Sequence, residues 1–447
     1  MFTTFALAAI AFIQFEEVVD PRTLVLPHTG KVKYYNSAEV RDAQSRPAAS
    51  IVESDGTILL AKSVGGGGRL ARLWMIGGHE RTKLRAYFDG ASAPAIHERI
   101  GTAFEDGRTP LVSLWTFAPA LAAGARVSYA PIRYRRDATI TVSSRVDAYE
   151  IEFIEGETVN ANIFPIEPKI EEYDIPVKEF VPGQPAEFAA DDGAGMITML
   201  KFTVEAPGDF DYNKTKLQIF VDGEAEPGIQ CSFAHLFAKP EAAVNVAAMA
   251  VEVTDADMIL HLPIPYTKGC KIQIVNGGEK NINIRGAAVL NRDPLPPKTR
   301  RLRILEWGGD VSPGAPLAGQ FSSRAGHFIG LTATFDGPRE LQLGGKLQFA
   351  ADHQVIYRSH TIASAFDGGA EFGKEVFATI GAGLSHAAPN SRTAFCFRIG
   401  RPLPFEKGFV VQLTGPDKEK FHASGAVFLY ESIAEPKPSA NDAGAKK

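Results

Sequence analysis

Two short motifs recur three times, always in the same order, along this 447-residue chain. The first is an apolar run ending in an Asp-opened turn: Leu84–Gly90 (LRAYFDG), Leu217–Gly223 (LQIFVDG) and Leu347–His353 (LQFAADH). Pro94 and Pro227 follow the first two copies, and the third keeps Leu and Asp but loses the Gly. Asp can cap backbone amides in a turn, and Asp-Gly between apolar runs is a strong hairpin signal. The second motif follows each Asp: Pro131–Val142 (PIRYRRDATITV), Pro263–Ile274 (PIPYTKGCKIQI) and Pro402–Leu413 (PLPFEKGFVVQL). Each has Pro, an aliphatic residue, an aromatic and a basic residue, and ends in an alternating apolar strand. Pro suits a strand's first residue or an edge, where no ladder amide is needed. A Gly followed by an apolar stretch precedes each Asp turn, at Gly68, Gly195 and Gly326.

Repeats whose Asp residues stand roughly 130 positions apart are far too long for a solenoid and right for an eight-stranded sandwich. The expected fold is therefore all-β, with three tandem sandwiches and at least two. Boundaries fall where Asn, Pro and Glu interrupt the pattern near Glu155–Pro168, and at the proline linker Asn291–Thr299. The modules read as residues 1–154, 155–298 and 299–434, with a patternless tail over 435–447 expected to be disordered.

Composition supports this and removes several classes. Apolar residues make up 45% and charged residues 22%, with 42 Gly and 29 Pro, so the chain is neither mainly disordered nor collagenous. The net charge is −5, and the longest basic stretch, Lys298–Arg303, is short, which argues against nucleic acid as a partner. Phe2–Phe15 is an apolar run too short to span a bilayer. It reads either as a weak secretory signal, implying a secreted or periplasmic protein, or as a buried first strand. No other segment is suited to a membrane span. The sequon at Asn213 matters only in a eukaryotic secretory route.

Cys231, Cys270 and Cys396 lie far apart, cannot all pair within one chain, and read as buried thiols without metal-ligand spacing. Gly65–Gly68 lacks the Gly-Lys-Ser/Thr of a phosphate loop and reads as a turn. HExxH and GxSxG are absent, and the ten His residues are scattered. No metal or cofactor is expected. Trp74 and Trp115 lie in apolar β-patterns and read as core.

Arg72-Leu73-Trp74, Tyr87–Gly90, Pro94, Pro131–Tyr134 and, more loosely, Phe395–Phe405 occur in an order that resembles the domain of unknown function 2961, now glycoside hydrolase family 172. The resemblance spans most of residues 60 to 430 in scattered motifs. It implies a jelly-roll architecture, usually two rolls per chain, assembled as trimers or hexamers. It also implies retaining hydrolysis of furanosides by two glutamates. A third roll, within residues 155 to 298, is a departure from that pattern.

A retaining glycosidase needs two carboxyl groups about 5 Å apart, one as nucleophile and one as acid/base. The family's two glutamate positions fall on Gln342, in Leu341–Lys346, and Ala363, in Ser359–Gly369. Gln cannot ionise to attack, and Ala has no proton to give. Glu340, Asp352, Asp367 and Glu371 are nearby acids, with Glu340 and Asp367 the substitute candidates for catalysis. His327, Asp352, Arg358 and His360 are candidates for hydrogen-bonding a sugar. The leading expectation is a non-catalytic jelly-roll protein that binds carbohydrate or serves as a self-associating assembly subunit. An active exo-furanosidase using displaced carboxylates is the alternative, and a capsid-like or surface-layer subunit is the third reading.

Overall fold

The computed structural model describes residues 21–37, 56–105, 109–112, 116–118, 122–156, 164–165, 167–338, 344–416 and 420–433. Strands dominate them, and the α-helices are one or two turns long, at Ile100–Glu105, Phe233–Phe237 and Ile362–Ala365. No helix among the described residues is long and apolar enough to cross a membrane.

The strands pair into sheets that face each other as tandem β-sandwiches. In the first sandwich one sheet runs Lys31–Asn36, Ala148–Glu155, Gly68–Ile76, Arg126–Ser128, Thr116–Phe117, and Ile132–Tyr134 also pairs with Gly68–Ile76. Its opposing sheet runs Ile58–Val64, Asp137–Val142, Lys83–Phe88, Ile96–Arg99. In the second, Ile170–Phe180, Ile282–Asn291, Gly195–Val204 and Asp257–Leu260 oppose Pro185–Asp192, Gly269–Val275, Lys216–Val221 and Ile229–Ser232. In the third, Arg300–Val311, Phe421–Ser432, Gly326–Asp336 and Ser391–Phe397 oppose Leu317–Ser322, Phe409–Thr414, Lys346–Ala351 and Gln354–Arg358.

The repeated motifs form one constellation in each sandwich. Asp89, Asp222 and Asp352 sit at left-handed φ of 60°, 54° and 52°, where a short polar side chain is tolerated best. Each caps a turn about 45 to 55 residues downstream rather than its own. Asp89 Oδ1 accepts from the Arg135 and Arg136 amides at 2.6 and 2.8 Å, and Asp222 Oδ1 from Thr267 and Lys268, both at 2.6 Å. Asp352 Oδ1 accepts from Lys407 at 2.6 Å and Glu406 at 3.1 Å. The capped turns are those of the second motif, so the two motifs recur together because they touch. The preceding Gly belongs to the same unit. Gly68, Gly195 and Gly326 lie directly across the strand pair from Tyr134, Tyr266 and Phe405. A Cβ there would stand 2.8 Å from the Tyr134 hydroxyl, 2.8 Å from the Tyr266 hydroxyl and 2.5 Å from the Phe405 ring, so each aromatic side chain occupies the space that Gly leaves.

Alternate residues of the strands supply each core, although Gly68–Ile76 and Ala148–Glu155 are buried on both faces. Tyr149, Ile151 and Phe153 of Ala148–Glu155 join Leu70, Leu73, Leu84 and Ile140 in the first core. The third core gathers Phe328, Phe349, Phe409 and Val427. The second core is not self-contained: Phe397, Phe428 and Tyr430, from the outer face of a third-sandwich sheet, pack into it. Those two sandwiches are also joined through the backbone. Ile229 and Gln230 pair in parallel with Ile304 and Leu305, which makes an eleven-stranded sheet spanning both. The three cysteines are free and buried.

Candidate functional site

The segment onto which the resemblance maps an acid/base residue lies where the first sandwich meets the third. Thr361 caps the short helix Ile362–Ala365 in a capping box with Ser364, which satisfies two helix-end amides at once. Ala363 is inside that helix and 1% exposed. Asp367 follows at φ 62° and is fully buried.

The first sandwich supplies what Asp367 needs. Arg72 and Trp74 share the outward face of Gly68–Ile76, and Glu150 and Glu152 share the outward face of the neighbouring strand. Arg72 bonds to Asp367 Oδ1 through Nη2 at 2.9 Å and Nε at 3.1 Å, and to Glu150 Oε2 at 2.6 Å. Its Nη2 also donates to the Ser364 carbonyl at 2.8 Å, and Trp74 Nε1 donates to the Asp367 carbonyl at 3.3 Å. Tyr129 and Thr379 hydroxyls donate to Asp367 Oδ2. Glu150 Oε1 accepts from Ser364 Oγ at 2.6 Å and the His360 amide at 2.7 Å. Beside this group, Glu152 takes Arg398 on one oxygen and Arg401 at 3.1 Å on the other.

These charges are satisfied in a dry setting, and the electrostatics follow. Burial works against the Arg72 cation, but Asp367 and then Glu150 hold its pKa well above the ordinary value. Burial opposes ionisation of Glu152, yet Arg398 and Arg401 bring it down to about 2. Burial, and then Asp367, push the Tyr129 phenol up. The arrangement is a cross-sandwich ionic lock.

Of the described residues singled out from sequence, Ala363, Asp367 and the His360 amide belong to this junction, and the others lie elsewhere. Gln342 and Glu340 lie outside the described residues, as do Trp115, residues 2–15 and the tail from 435. His327 is fully buried, bonded through Nδ1 to Arg300 at 2.8 Å and edge-on to His28 at 4.5 Å. Burial, then His28 and Arg300, lower its pKa well below the usual value. Asp352 is the turn cap described above. Arg358 is exposed and donates through Nε to Gln348 at 2.9 Å. His360 Nδ1 stands 3.2 Å from Ser37 Oγ, and burial lowers its pKa. Glu371 pairs with Lys374 on the surface. No group of three or more His, Cys, Asp or Glu among the described residues is arranged to hold a metal.

Sequence reading passed over Glu150, Glu152, Arg398 and Arg401. In AYEIEFIE the alternate glutamates look like a solvated face. The signal against that was Trp74, on the same outward face one strand away, because a Trp beside an Arg there needs a cover.

The fold and this junction define a tandem β-sandwich protein whose units are locked by buried charge. The model of the GH172 first β-sandwich domain matches residues 28–174 and 183–283, more than half of the chain, and the chain belongs to that family. No curated protein matches significantly. Among solved structures, the chain is similar to the major capsid protein P2 of bacteriophage PM2, at 8% identity and TM-score 0.36 over 60% of this chain and 98% of that one. It is similar to a chain of Sulfolobus Turreted Icosahedral Virus at 10% identity and TM-score 0.38, covering 61% and 93%. A triple jelly roll of an archaeal virus gives 8% and 0.18 over 91% of each chain. TM-scores this low carry no argument about this chain.

Proposed function

We propose that this chain is a non-catalytic member of its family, built as three modules over residues 1–154, 155–298 and 299–434, that binds carbohydrate or serves as an assembly subunit. The observation that carries this reading is the state of Asp367. It is the described acid nearest to Ala363 in sequence that is not paired on the surface, and both its oxygens are occupied in a fully buried ion pair. A nucleophile must reach an anomeric carbon, and an acid must deliver a proton to a leaving oxygen. Asp367 is placed for neither, and Ala363 has no group to offer.

The test incubates purified protein with activated aryl arabinofuranosides and fructofuranosides, beside a Gln342→Glu/Ala363→Glu variant. Turnover is expected near background in both, because general acid–base assistance alone is worth roughly 10²–10⁴-fold. Clear turnover by the unmodified chain, abolished by Glu340→Gln or Asp367→Asn, would overturn the reading in favour of displaced carboxylates. The assembly half of the proposal is a trimer or hexamer. Light scattering that returned the 48.2 kDa of one chain at micromolar concentration would remove it.

A further inference from the structure

At one end of the third sandwich, beside a turn of the second, the two sheets leave a cavity of about 830 Å³. It is lined by residues 224–228 of that turn, by Arg301, Arg303 and Leu305, by residues 320–324, and by Glu431. Arg300–Val311 and Leu317–Ser322 belong to opposing sheets, so the cavity enters between them. Its size falls within the roughly 300–1,000 Å³ of ordinary ligand sites. Most of its charge is already matched. Glu224 accepts from Arg303 at 2.8 and 2.9 Å and from Arg301 at 2.6 Å. Asp222 also accepts from Arg301, and Glu431 stands 3.7 Å from Arg303. Two charged side chains are left over. Arg324 and Glu226 are exposed, and among the described residues neither side chain has a hydrogen bond or ion pair, with each other or with any other residue.

The other copies of the repeat lack these features. In each sandwich one strand bulges at a large apolar residue, and Leu60, Phe188 and Phe321 are the residues skipped in the ladder. Leu60 and Phe188 are fully buried, whereas Phe321 packs only partly against its core and lines the cavity as well. The connection beyond it is short. Five positions separate Phe321 from Gly326, against seven from Phe188 to Gly195 and eight from Leu60 to Gly68, so fewer residues are at hand to cover the ring. Arg324, two before its Gly, stands where the other copies have Gly66 and Gly193. Glu226, four after its Asp, stands where the first copy has Ala93, and the third copy turns back at once into Gln354–Arg358. Gly228 stands where the first copy has Ala95, and a Cβ there would strike the Arg303 guanidinium. The scaffold does without Arg324 and Glu226 twice, so folding does not require them.

We propose that this cavity holds an uncharged oligosaccharide, an inference that rests on the carbohydrate half of the function proposed above and gives it a place. One sugar ring packs its C–H face against Phe321, while hydroxyls donate to Glu226 and Glu431 and accept from Arg324. An anion would meet Arg324 but also three glutamates, and a cation would meet three arginines. A lipid tail would strip water from Arg324 and Glu226 and offer them no partner. A ligand dense in hydroxyls and without net charge satisfies both signs, because each hydroxyl both donates and accepts. The site uses no residue of the Asp367 segment, so it stands whether or not hydrolysis has been lost.

The test is titration calorimetry of the full chain with arabinotetraose, galactotetraose and the charged tetragalacturonate, beside a glycan array that widens the neutral set. Binding to a neutral glycan is expected, little changed by salt, with tetragalacturonate weaker or inert. Arg324→Gly/Glu226→Ala installs residues the other copies already carry, so Tm should hold while affinity falls at least about tenfold. Phe321→Leu should weaken binding too, and Lys374→Gln, outside the cavity, should bind as the wild type does. Wild-type affinity in Arg324→Gly/Glu226→Ala would move carbohydrate binding elsewhere and overturn the cavity proposal alone. Tighter binding of tetragalacturonate that falls steeply with salt would overturn the uncharged ligand. No binding to any glycan would remove the inference together with the carbohydrate half of the proposed function, and would leave assembly standing.

Discussion

Asp352 and Gly326 show how single residues close each sandwich. Asp352 does two things at once: it adopts a left-handed φ of 52° and holds three successive amides, those of Glu406, Lys407 and Gly408. Asp352→Gly keeps the first and loses the second, while Asp352→Ala loses both. Thermal unfolding should therefore rank them wild type, Gly, Ala, with the Ala variant destabilised by roughly 1–3 kcal/mol. The same order is expected at Asp89. Gly326→Ala tests the other half of the unit. Its Cβ would collide with the Phe405 ring and the Tyr430 carbonyl, an overpacking cost of about 1–3 kcal/mol. Gly326→Ala combined with Phe405→Leu should recover part of that loss in a double-mutant cycle. Additive losses would mean that the ring does not fill the glycine's space.

At the scale of the element, the strand Ala148–Glu155 works on both faces. Tyr149, Ile151 and Phe153 hold the first core, and Glu150 and Glu152 hold the third sandwich. Removing one partner from a buried ion network leaves an uncompensated charge, which costs about 3–5 kcal/mol, whereas replacing all partners together costs far less. Arg72→Met alone should thus be more destabilising than Arg72→Met/Glu150→Gln/Asp367→Asn, as read by denaturant midpoint. If the triple variant proves the worse of the two, the network contributes net stability and the desolvation argument fails here. Arg72 and Trp74 belong to the motif by which the family resemblance is recognised, and both grip the Asp367 segment, which gives a structural reason for that part of the resemblance.

Across the whole molecule, charge and apolar surface share the work of joining the sandwiches. The second and third are merged through a common sheet and a shared core, with Glu306 accepting His235, the Ser232 amide and Lys216 at their junction. Burial opposes the Glu306 charge, but these partners bring its pKa to about 2, as the arginines do for Glu152. Both carboxylates are depressed below the ordinary 4.5, so their contribution is complete above that pH and is lost as pH falls toward 2. His327, buried and held neutral, adds in the same direction below pH 6.5. For the fully buried Glu152 the loss is roughly 3 kcal/mol. Tm should be flat above about pH 6.5, begin to fall below it and fall further below about pH 5, and in Glu152→Gln the fall below pH 5 should be shallower. An acid profile identical in that variant would show that Glu152 does not titrate with unfolding.

The all-β class, the three Asp turns and their order were legible in the sequence, because hydrogen-bonded turns and alternating strands are specified within a few residues. The link between the two motifs was not, since Asp89 caps amides 46 and 47 residues away and spacing alone does not say which turn a carboxylate reaches. The ionic lock was still less visible. A glutamate on alternate positions of a strand looks the same whether water or Asp367's helix lies over it, and only docking of the third sandwich decides which. Likewise His327 reads from sequence as a polar candidate, and the packing of Arg300 and His28 around it makes it interior. Local sequence determined which face of each strand is apolar; the tertiary structure alone decided what covers the other face, because that depends on contacts between residues about 300 positions apart, as Arg72 and Asp367 are.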